Sequence, residues 1–438
     1  MRMLSLIVLL CLPLAAFAQN PGAEGEEEGQ KDPIKGFQFR FKERPSFRYG
    51  ENFRLDIRSK WHLDFADLSP AVGADPRDHF SVTRARFGVK GEVTKFFDYE
   101  VERELRGALE EDHPYHPWKD VYVDFKPYKF LRFKAGKFKV PFGMEQNTSV
   151  DRLDFVYRTR TSDFLSPARE RGGMLHGKFL NGEHLVYEAG VFRYDGENSD
   201  IKGVPTEGRT YVARISGEPL RYVKLLPNTL RHTYLGLATT TGDLIEGQHG
   251  IHGQTMSNLT YFDHVFVKGR RQRLGVEVAW NDGPFSFKGE YIHVSEQRKE
   301  QGIRGNDLPD KLSRGWYLTG TWVALGKIKS KSNEPRDPLL TGKGFGALEV
   351  GARLDVLSFY SASRTGLPSP SPRAAYIAPN SDRTWTFGGT WYLNHFVKIQ
   401  ANGMREWVTE TNRRDFEQES VAGRNAFWTA VLRLQLTM

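Results

Sequence analysis

Residues 52–64 of this 438-residue chain alternate between apolar and charged side chains along almost their whole length, reading N-F-R-L-D-I-R-S-K-W-H-L-D. Successive side chains of a β-strand point to opposite faces, so this pattern predicts a strand that separates an apolar medium from a polar one. Charge this dense on one face, repeated in strand after strand, is typical of a barrel with lipid outside and water inside. The alternation therefore predicts an all-β fold, a transmembrane antiparallel β-barrel.

The start of the chain predicts export. Residues 1–18 contain an early cation, Arg2, an apolar run from Leu4 to Ala15 and the small-x-small site Ala16-Phe17-Ala18, which together indicate a signal peptide. The alternative is a membrane anchor, but the run is shorter than the roughly 18 apolar residues that a span needs. The single cysteine, Cys11, lies in this segment, so the exported chain would have no disulfide.

The exported part is divided into two regions. Residues 19–50 are predicted to form a periplasmic N-terminal tail that is partly disordered, because Gly22 to Asp32 is acidic and has no aromatic residue. Residues 51–438 are predicted to form the outer-membrane barrel. Residues 37–42 also alternate (F-Q-F-R-F-K), which leaves an additional N-terminal hairpin open.

The alternation predicts about sixteen strands, an even number as expected for a bacterial single-chain barrel. Short turns mostly alternate with longer connections, but 220–231 and 326–343 are long where short turns are expected. The predicted strands are 53–65, 78–93, 97–107, 118–126, 130–139, 172–180, 184–194, 208–219, 232–242, 271–281, 284–296, 313–325, 344–360, 383–393, 396–408 and 425–438.

The charged parity of each strand should face the lumen, because a charge on the lipid face costs about 2–4 kcal/mol at the bilayer midplane. The formal net charge is +8, and in an exported chain a positive balance favours a path for small anions over nucleic-acid binding. Arg103 is an exception, because it shares the parity of the apolar, lipid-facing residues of its strand. We expect it near a membrane–water interface or in a subunit contact, unless the predicted register of this strand is wrong. The predicted pore-lining, anion-binding strand residues are Arg58, Lys60, Arg84, Arg86, Lys90, Arg214, Arg271 and Arg273, and the same parity puts Arg353 and Lys398 inside.

The connection from Val140 to Arg171 is the third of the external loops and the longest between clear strands. A loop of this length inside a compact domain usually has a function. We predict that it folds into the barrel and that Arg158 and Arg160 form the constriction. The alternative is an external loop whose acidic and basic residues pair with each other.

Several stretches resemble the phosphate-selective porin O and P family, and they occur in the order of that family. The most specific is G-K-F-K-V-P-F-G-M-E, which starts at Gly136. The resembling stretches are R-A-R-F-G-V-K-G-E (84–92), F-F-D-Y-E-V-E (96–102), F-K-A-G-K-F-K-V-P-F-G-M-E-Q (133–146), S-P-A-R-E-R-G-G-M (166–174), G-W-Y-L-T-G-T-W (315–322), T-W-Y-L-N-H-F-V-K-I-Q-A-N (390–402) and L-R-L-Q (432–435).

The resemblance implies a sixteen-stranded, homotrimeric barrel in the outer membrane of a Gram-negative-type bacterium. It also implies a water-filled, anion-selective channel for phosphate or polyphosphate, with small phosphate-like anions as solute and outer-membrane lipid as surroundings. The chain departs from most outer-membrane barrels in ending at Met438 and not at an aromatic residue.

The sequence leaves three alternative functions: a barrel enzyme, a general non-selective porin and a secreted soluble sandwich that binds sugars. The sequence contains no G-x-S-x-G, no H-E-x-x-H and no Cys/His metal spacing, so we predict no enzymatic activity and no cofactor. His249, His252 and His264 could bind a metal, but solvated loop histidines are the favoured interpretation.

Overall fold

The structure of the protein is a computed structural model. Among its described residues, no helix is long and apolar enough to cross a bilayer. The predicted signal peptide and the acidic stretch from Gly22 to Asp32 lie outside the described residues. The structure describes residues 36–41, 43–69, 79–106, 117–180, 184–199, 208–328, 334–339, 344–409 and 423–438.

Sixteen antiparallel strands close into a barrel, since each pairs with its neighbour in the chain and the last pairs with the first. The prediction of an all-β barrel with about sixteen strands is confirmed. Two strands that precede the barrel are β1 (Phe37–Phe41) and β2 (Pro45–Tyr49), and two in a loop are β12 (Gly253–Gln254) and β13 (Thr260–Phe262). The barrel strands are β3 (Phe53–Ser69), β4 (Phe80–Val93), β5 (Phe97–Glu104), β6 (Trp118–Phe125), β7 (Arg132–Lys139), β8 (Arg169–Phe179), β9 (Leu185–Phe192), β10 (Thr210–Gly217), β11 (Tyr234–Gln248), β14 (Phe266–Asp282), β15 (Phe285–Arg298), β16 (Leu308–Leu325), β17 (Ala347–Ser361), β18 (Asn380–Tyr392), β19 (Val397–Val408) and β20 (Ala426–Thr437).

The N-terminal hairpin left open by the sequence is present, and it extends the sheet at one end. β2 pairs with residues 53–56 of β3, while β20 pairs with residues 60–69 of the same edge. Phe41 of the hairpin stacks on Phe396, with ring centroids 6.3 Å apart. The hairpin therefore completes the edge of β3 that β20 leaves open.

The connections divide the barrel into two ends. Met438 and the short turns at 94–96, 283–284 and 393–396 lie at one end, here called the turn side, and the longer connections form the opposite loop side. The long connections 218–233 and 326–346 also belong to the turn side, and the first contains the short helix α3 (Asn228–Arg231). Their length therefore does not change the strand count.

The two strand faces have opposite chemistry, as the parity argument predicts. On β14, Leu274 and Val276 are 44% and 46% exposed, whereas Arg271 and Arg273 are 1% and 2% exposed. In a closed barrel the exposed apolar face is the outer surface, and the buried charges lie inside. Aromatic pairs such as Phe97–Phe125 (5.0 Å between ring centroids) mark the turn-side border of the apolar band.

Three strands extend further on the loop side than the alternation indicated. β11 continues to Gln248, β14 begins at Phe266 and β16 begins at Leu308. Backbone pairing continues there beyond the apolar band, where no lipid imposes an apolar parity. The small sheet of β12 and β13 in this loop was not predicted from the sequence.

Arg103 lies on the outer face, so the register predicted for β5 is correct. It pairs with Phe87, which is 48% exposed, and its guanidinium lies 5.2 Å from the centroid of the Trp118 ring. Its place near an interface or in a subunit contact stays a prediction.

The outward position of β14 side chains can be tested by inserting a charge. Val276→Arg should lower the free energy of unfolding by about 2–4 kcal/mol, because it puts a cation near the bilayer midplane. The matched control Gln272→Arg, on the same face but nearer the loop side, should cost at most about 1 kcal/mol. Urea unfolding in lipid vesicles measures both values, and equal costs would contradict the depth assigned to Val276.

Candidate functional site

The connection between β7 and β8, residues 140–168, is here called the third loop. It is shorter than predicted because Arg169 and Arg171 belong to β8. It contains the helix α1 (Met144–Asn147), a 3₁₀ turn at Val150–Arg152 and the helix α2 (Arg160–Leu165). Thr159 caps α2, since its side chain accepts a hydrogen bond from the Ser162 amide.

Two buried carboxylates from distant strands hold the beginnings of both helices. Glu290 of β15 accepts hydrogen bonds from the amides of Met144 and Glu145, the latter at 2.9 Å. Asp355 of β17 accepts from the Arg160 amide at 2.5 Å and from the Thr161 hydroxyl at 2.7 Å. A carboxylate at a helix N-terminus satisfies amides that have no partner within the helix. These contacts join the third loop to β15 and β17, two strands that are distant from it in the sequence.

Further strand side chains bind the main chain of the third loop. Asn402 accepts a hydrogen bond from the Val156 amide, and Arg433 donates to the Val156 carbonyl, both at 2.7 Å. Arg273 donates to the Leu165 carbonyl at 2.8 Å. All three strand residues are buried, with exposed fractions of 5% or less. The loop is thus bound to the inward-facing side chains of β14, β19 and β20.

Glycines on the wall allow the third loop to approach closely. A Cβ on Gly315 would lie 2.5 Å from the Thr161 hydroxyl oxygen, and one on Gly275 would lie 3.1 Å from the Phe142 ring. Phe142 itself is fully buried. A larger residue at Gly315 would therefore displace α2 from the wall.

Seven of the ten predicted anion-binding cations have carboxylate partners: the five paired below, and Arg58 and Lys90, which both contact Glu100. Their charges are compensated within the wall, and Arg271 and Arg273 are almost completely buried. The pairs are Lys60 with Glu102 (3.0 Å), Arg86 with Glu102 (3.0 Å) and Glu104 (2.8 Å), Arg214 with Glu188 (2.7 Å) and Glu277 (2.8 Å), Arg271 with Asp195 (2.5 Å) and Glu296 (2.5 Å), and Arg273 with Asp195 (2.6 Å).

Three further predicted cations, Arg84, Arg158 and Arg160, have no carboxylate within ion-pair distance among the described residues. Arg158 donates to the carbonyls of Glu145 and Thr148, and the guanidinium of Arg160 lies over the Phe164 ring at 5.6 Å. All three arginines are partly exposed.

Lys139, which the sequence analysis did not select, lies beside Arg158. Its Nζ donates to the Thr148 carbonyl at 2.9 Å, and Arg158 Nη2 donates to the same oxygen at 2.7 Å. Burial lowers the pKa of Arg158, and the nearby Arg169 and Arg86 lower it further, against Asp163 and Glu145. An arginine stays charged under such a shift. We call Lys139 and Arg158 the cation pair.

The remaining two predicted residues, Arg58 and Lys90, line a cavity of about 600 Å³ on the turn side. Both contact Glu100, at 2.5 Å and 3.1 Å. The cavity lies between the N-terminal hairpin, the third loop and the C-terminus. Its acidic lining residues are Glu43, Asp56 and Asp151, and its lysines and arginines are Arg40, Arg44, Arg48, Arg54, Arg58, Lys90, Arg152 and Lys398.

The loop histidines do not form a metal site in the part of the chain that the structure describes, where no group of three metal-binding side chains is found. His252 and His264 stack with ring centroids 4.0 Å apart. Burial lowers the pKa of His252 to about 3 and that of His264 to about 4. Both rings are therefore neutral at pH 7.

A family model for "phosphate-selective porin O and P" matches residues 53–436, which include all barrel-strand residues except Thr437. The chain belongs to the phosphate-selective porin O and P family. The family expected from the sequence motifs is therefore confirmed. A sequence search of curated proteins finds no match.

Solved porin structures share the fold at low sequence identity, which supports the architecture alone. The in-vitro folded OmpT of Vibrio cholerae in its trimer form is 12% identical, with 89% of this chain and 100% of that chain covered and a TM-score of 0.54. The anion-selective porin from Comamonas acidovorans is 10% identical, with 88% and 100% covered and a TM-score of 0.53. The outer membrane channel DcaP of Acinetobacter baumannii is 9% identical, with 88% and 98% covered and a TM-score of 0.53.

Family and fold together identify an outer-membrane porin of a Gram-negative bacterium. The turn side of the barrel is accordingly the periplasmic side, and the loop side is the external side.

Asp195, in the connection between β9 and β10, should be a major source of stability. Asp195→Ala leaves Arg273 buried without its carboxylate and should lower the free energy of unfolding by about 3–5 kcal/mol. As control, Glu218→Ala removes the exposed pair with Arg221 and should cost less than about 1 kcal/mol. Similar losses for both variants in urea unfolding would contradict this role.

The same residue predicts a pH dependence of stability. Burial raises the pKa of Asp195, but Arg273 and Arg271 outweigh it and hold the pKa below the ordinary aspartate value. Because the folded pKa is the lower one, this stabilisation is present above the unfolded pKa of about 3.9 and is lost as the pH falls below it. The parent should therefore lose more stability than Asp195→Ala between neutral and acidic pH.

Proposed function

We propose that this porin is an anion-selective, water-filled channel whose solutes are small phosphate-like anions and whose constriction is formed by the third loop. The cation pair is the observation that carries the proposal. Lys139 and Arg158 lie side by side on one carbonyl oxygen and have no carboxylate within ion-pair distance among the described residues. Carbonyl groups, and not carboxylates, hold the two side chains in place.

Neighbouring cations extend this positive region. Arg84 of β4 and Arg158 are close enough for their charges to repel each other. Arg169 of β8 is close enough to repel both. Fixed positive charge on a pore wall attracts anions and repels cations. Arginine also suits an oxyanion, because its planar guanidinium offers two parallel donors and keeps its charge.

The hydrogen bonds of the third loop support a constriction that folds into the barrel. Its partners belong to β14, β15, β17, β19 and β20, on the face of the wall that bears the buried charges. A segment bound to both sides of a barrel narrows the water path between them. The turn-side cavity, with its excess of arginine and lysine, would receive an anion that has passed this point.

A homotrimer is also proposed. The resemblance to the family supports it, as does the likeness to OmpT of Vibrio cholerae in its trimer form. A general porin without anion preference is the main alternative, and single-channel selectivity distinguishes the two.

Replacing the cation pair should reduce anion selectivity. Lys139→Gln with Arg158→Gln should shift the reversal potential in a potassium chloride gradient toward the cation side and weaken block by inorganic phosphate. The effect should be largest at low ionic strength, where the field is least screened. The matched control is Arg221→Gln with Lys224→Gln, which removes the same charge from exposed positions on the turn side. A parental reversal potential in the double variant would refute the role of the pair.

Arg160→Gln tests the second constriction arginine separately. Its amide binds Asp355 through the main chain, so the substitution leaves this anchor in place and removes only the charge. A lower anion preference with parental thermal stability would support Arg160 as a constriction residue.

Releasing the anchors of the third loop should widen the channel. Glu290→Ala with Asp355→Ala removes the carboxylates that hold α1 and α2, so single-channel conductance should rise and fluctuate more. The control Glu349→Ala removes an acid that binds Thr321 and Tyr392, neither of which belongs to the third loop. Parental conductance in the double variant, with the barrel still heat-modifiable on a gel, would show that this loop does not limit the passage.

A further inference from the structure

Three exposed arginines form a row across adjacent strands at the external end of the barrel. Arg171 lies in β8, Arg193 directly follows β9 and Arg209 directly precedes β10. The Arg193 amide donates to the Arg171 carbonyl at 2.8 Å, so these two residues are direct neighbours. The pairing of Thr210 with Phe192 places Arg209 next to Arg193. We call these three residues the arginine row.

The side chains of the arginine row share the outward parity of their strands. Arg171 has the parity of Leu175, which is 48% exposed, and Arg209 has that of Tyr211, which is 51% exposed. Arg193 has the parity of Val191, which is 41% exposed. These apolar side chains face lipid, so the row lies on the outer surface and not in the channel.

The register gives the depth of the row. One step toward the periplasm, Gly173, Val191 and Tyr211 are paired across the same three strands. The row is therefore the first charged level above the apolar band. It borders an outer-surface cavity of about 590 Å³, which Val191 and Tyr194 also line.

The charges of the row are not compensated within the part of the protein that the structure describes, where none of the three arginines forms an ion pair. Like charges on directly opposite strand positions repel each other. Arg193 lies over the Tyr194 ring at 4.8 Å, which orients its guanidinium without neutralising it. Three adjacent guanidinium groups at a membrane border form a site for a polyanion.

We propose that the arginine row binds the phosphate groups of lipopolysaccharide, the phosphorylated glycolipid of the outer leaflet. Guanidinium groups bind phosphate oxygens in a bidentate manner, and a membrane-border cluster of cations is the usual means of binding a charged headgroup. The acyl chains of the same molecule would lie on Leu175, Val191 and Tyr211 below the row. The site thus matches both halves of one amphiphile.

The test compares two variants that lose three positive charges each. Arg171→Gln, Arg193→Gln and Arg209→Gln are combined in the test variant. The matched control combines Arg221→Gln, Lys224→Gln and Lys327→Gln, which are exposed at the opposite, periplasmic end. Each protein is purified in detergent and stripped of lipid. It is then titrated with bisphosphorylated lipid A, with dephosphorylated lipid A or with inorganic phosphate, and bound lipid is counted by native mass spectrometry. Heat-modifiable mobility and parental conductance verify that the barrel is intact.

The parent and the control should bind bisphosphorylated lipid A, and the test variant should bind it on the order of tenfold more weakly, because charge-assisted hydrogen bonds to phosphate are lost. Equal binding by the test variant would overturn the proposal. Equal binding of dephosphorylated lipid A by the parent, or equal competition by inorganic phosphate alone, would also overturn it. A changed subunit number with unchanged lipid binding would assign the row to a subunit contact instead.

Discussion

Every backbone amide and carbonyl inside the bilayer must find its partner within the protein, because lipid offers none. Closure of the sheet into a barrel satisfies this requirement. β3 pairs with β4 along one edge, and on the other edge it pairs with β20 and, below the end of β20, with β2. A closed wall gives side chains only two surroundings, lipid and lumen. The strict alternation of apolar and charged residues follows from this, and so does the presence of many charges in a confined interior.

Charged groups in a confined interior need polar partners. The carboxylates of this interior have two kinds of partner, cationic side chains and main-chain amides. Some carboxylates neutralise arginines of the wall, as Asp195 in the connection between β9 and β10 does for Arg271 and Arg273. Other strand carboxylates hold main-chain amides, as Glu290 and Asp355 do in the third loop. Among the described residues, neither Glu290 nor Asp355 forms an ion pair, so neither neutralises Lys139 or Arg158.

The alternation was sufficient to predict about sixteen strands and their inward parity, because contact with lipid constrains each outward residue separately. The family was predicted from the sequence motifs and not from the alternation. The loop-side ends of β11, β14 and β16 were not predicted, because strands that do not contact lipid need no alternating apolar pattern. The helices of the third loop are too short for a helical period, and their stabilising carboxylates come from distant strands. The partner of Arg273 is 78 residues away in the chain. Lys139 is the last residue of β7, whereas Arg158, its neighbour on the Thr148 carbonyl, lies in the third loop. Such pairings depend on the closed wall and cannot be inferred from local patterns.

The proposed anion selectivity would depend on where uncompensated charge lies and not on the net charge of +8. A cation bound to a carboxylate attracts an anion weakly, because an anion has to displace the partner. A cation bound to a carbonyl has no opposite charge beside it and can exchange the carbonyl for an oxyanion. The cation pair has this second arrangement, with both nitrogens on the Thr148 oxygen. In the proposed channel, an arriving anion would relieve their mutual repulsion, and the carbonyl would take its place again when the anion leaves. Conduction requires binding that is favourable enough for entry and weak enough for exit, and this exchange would meet that requirement.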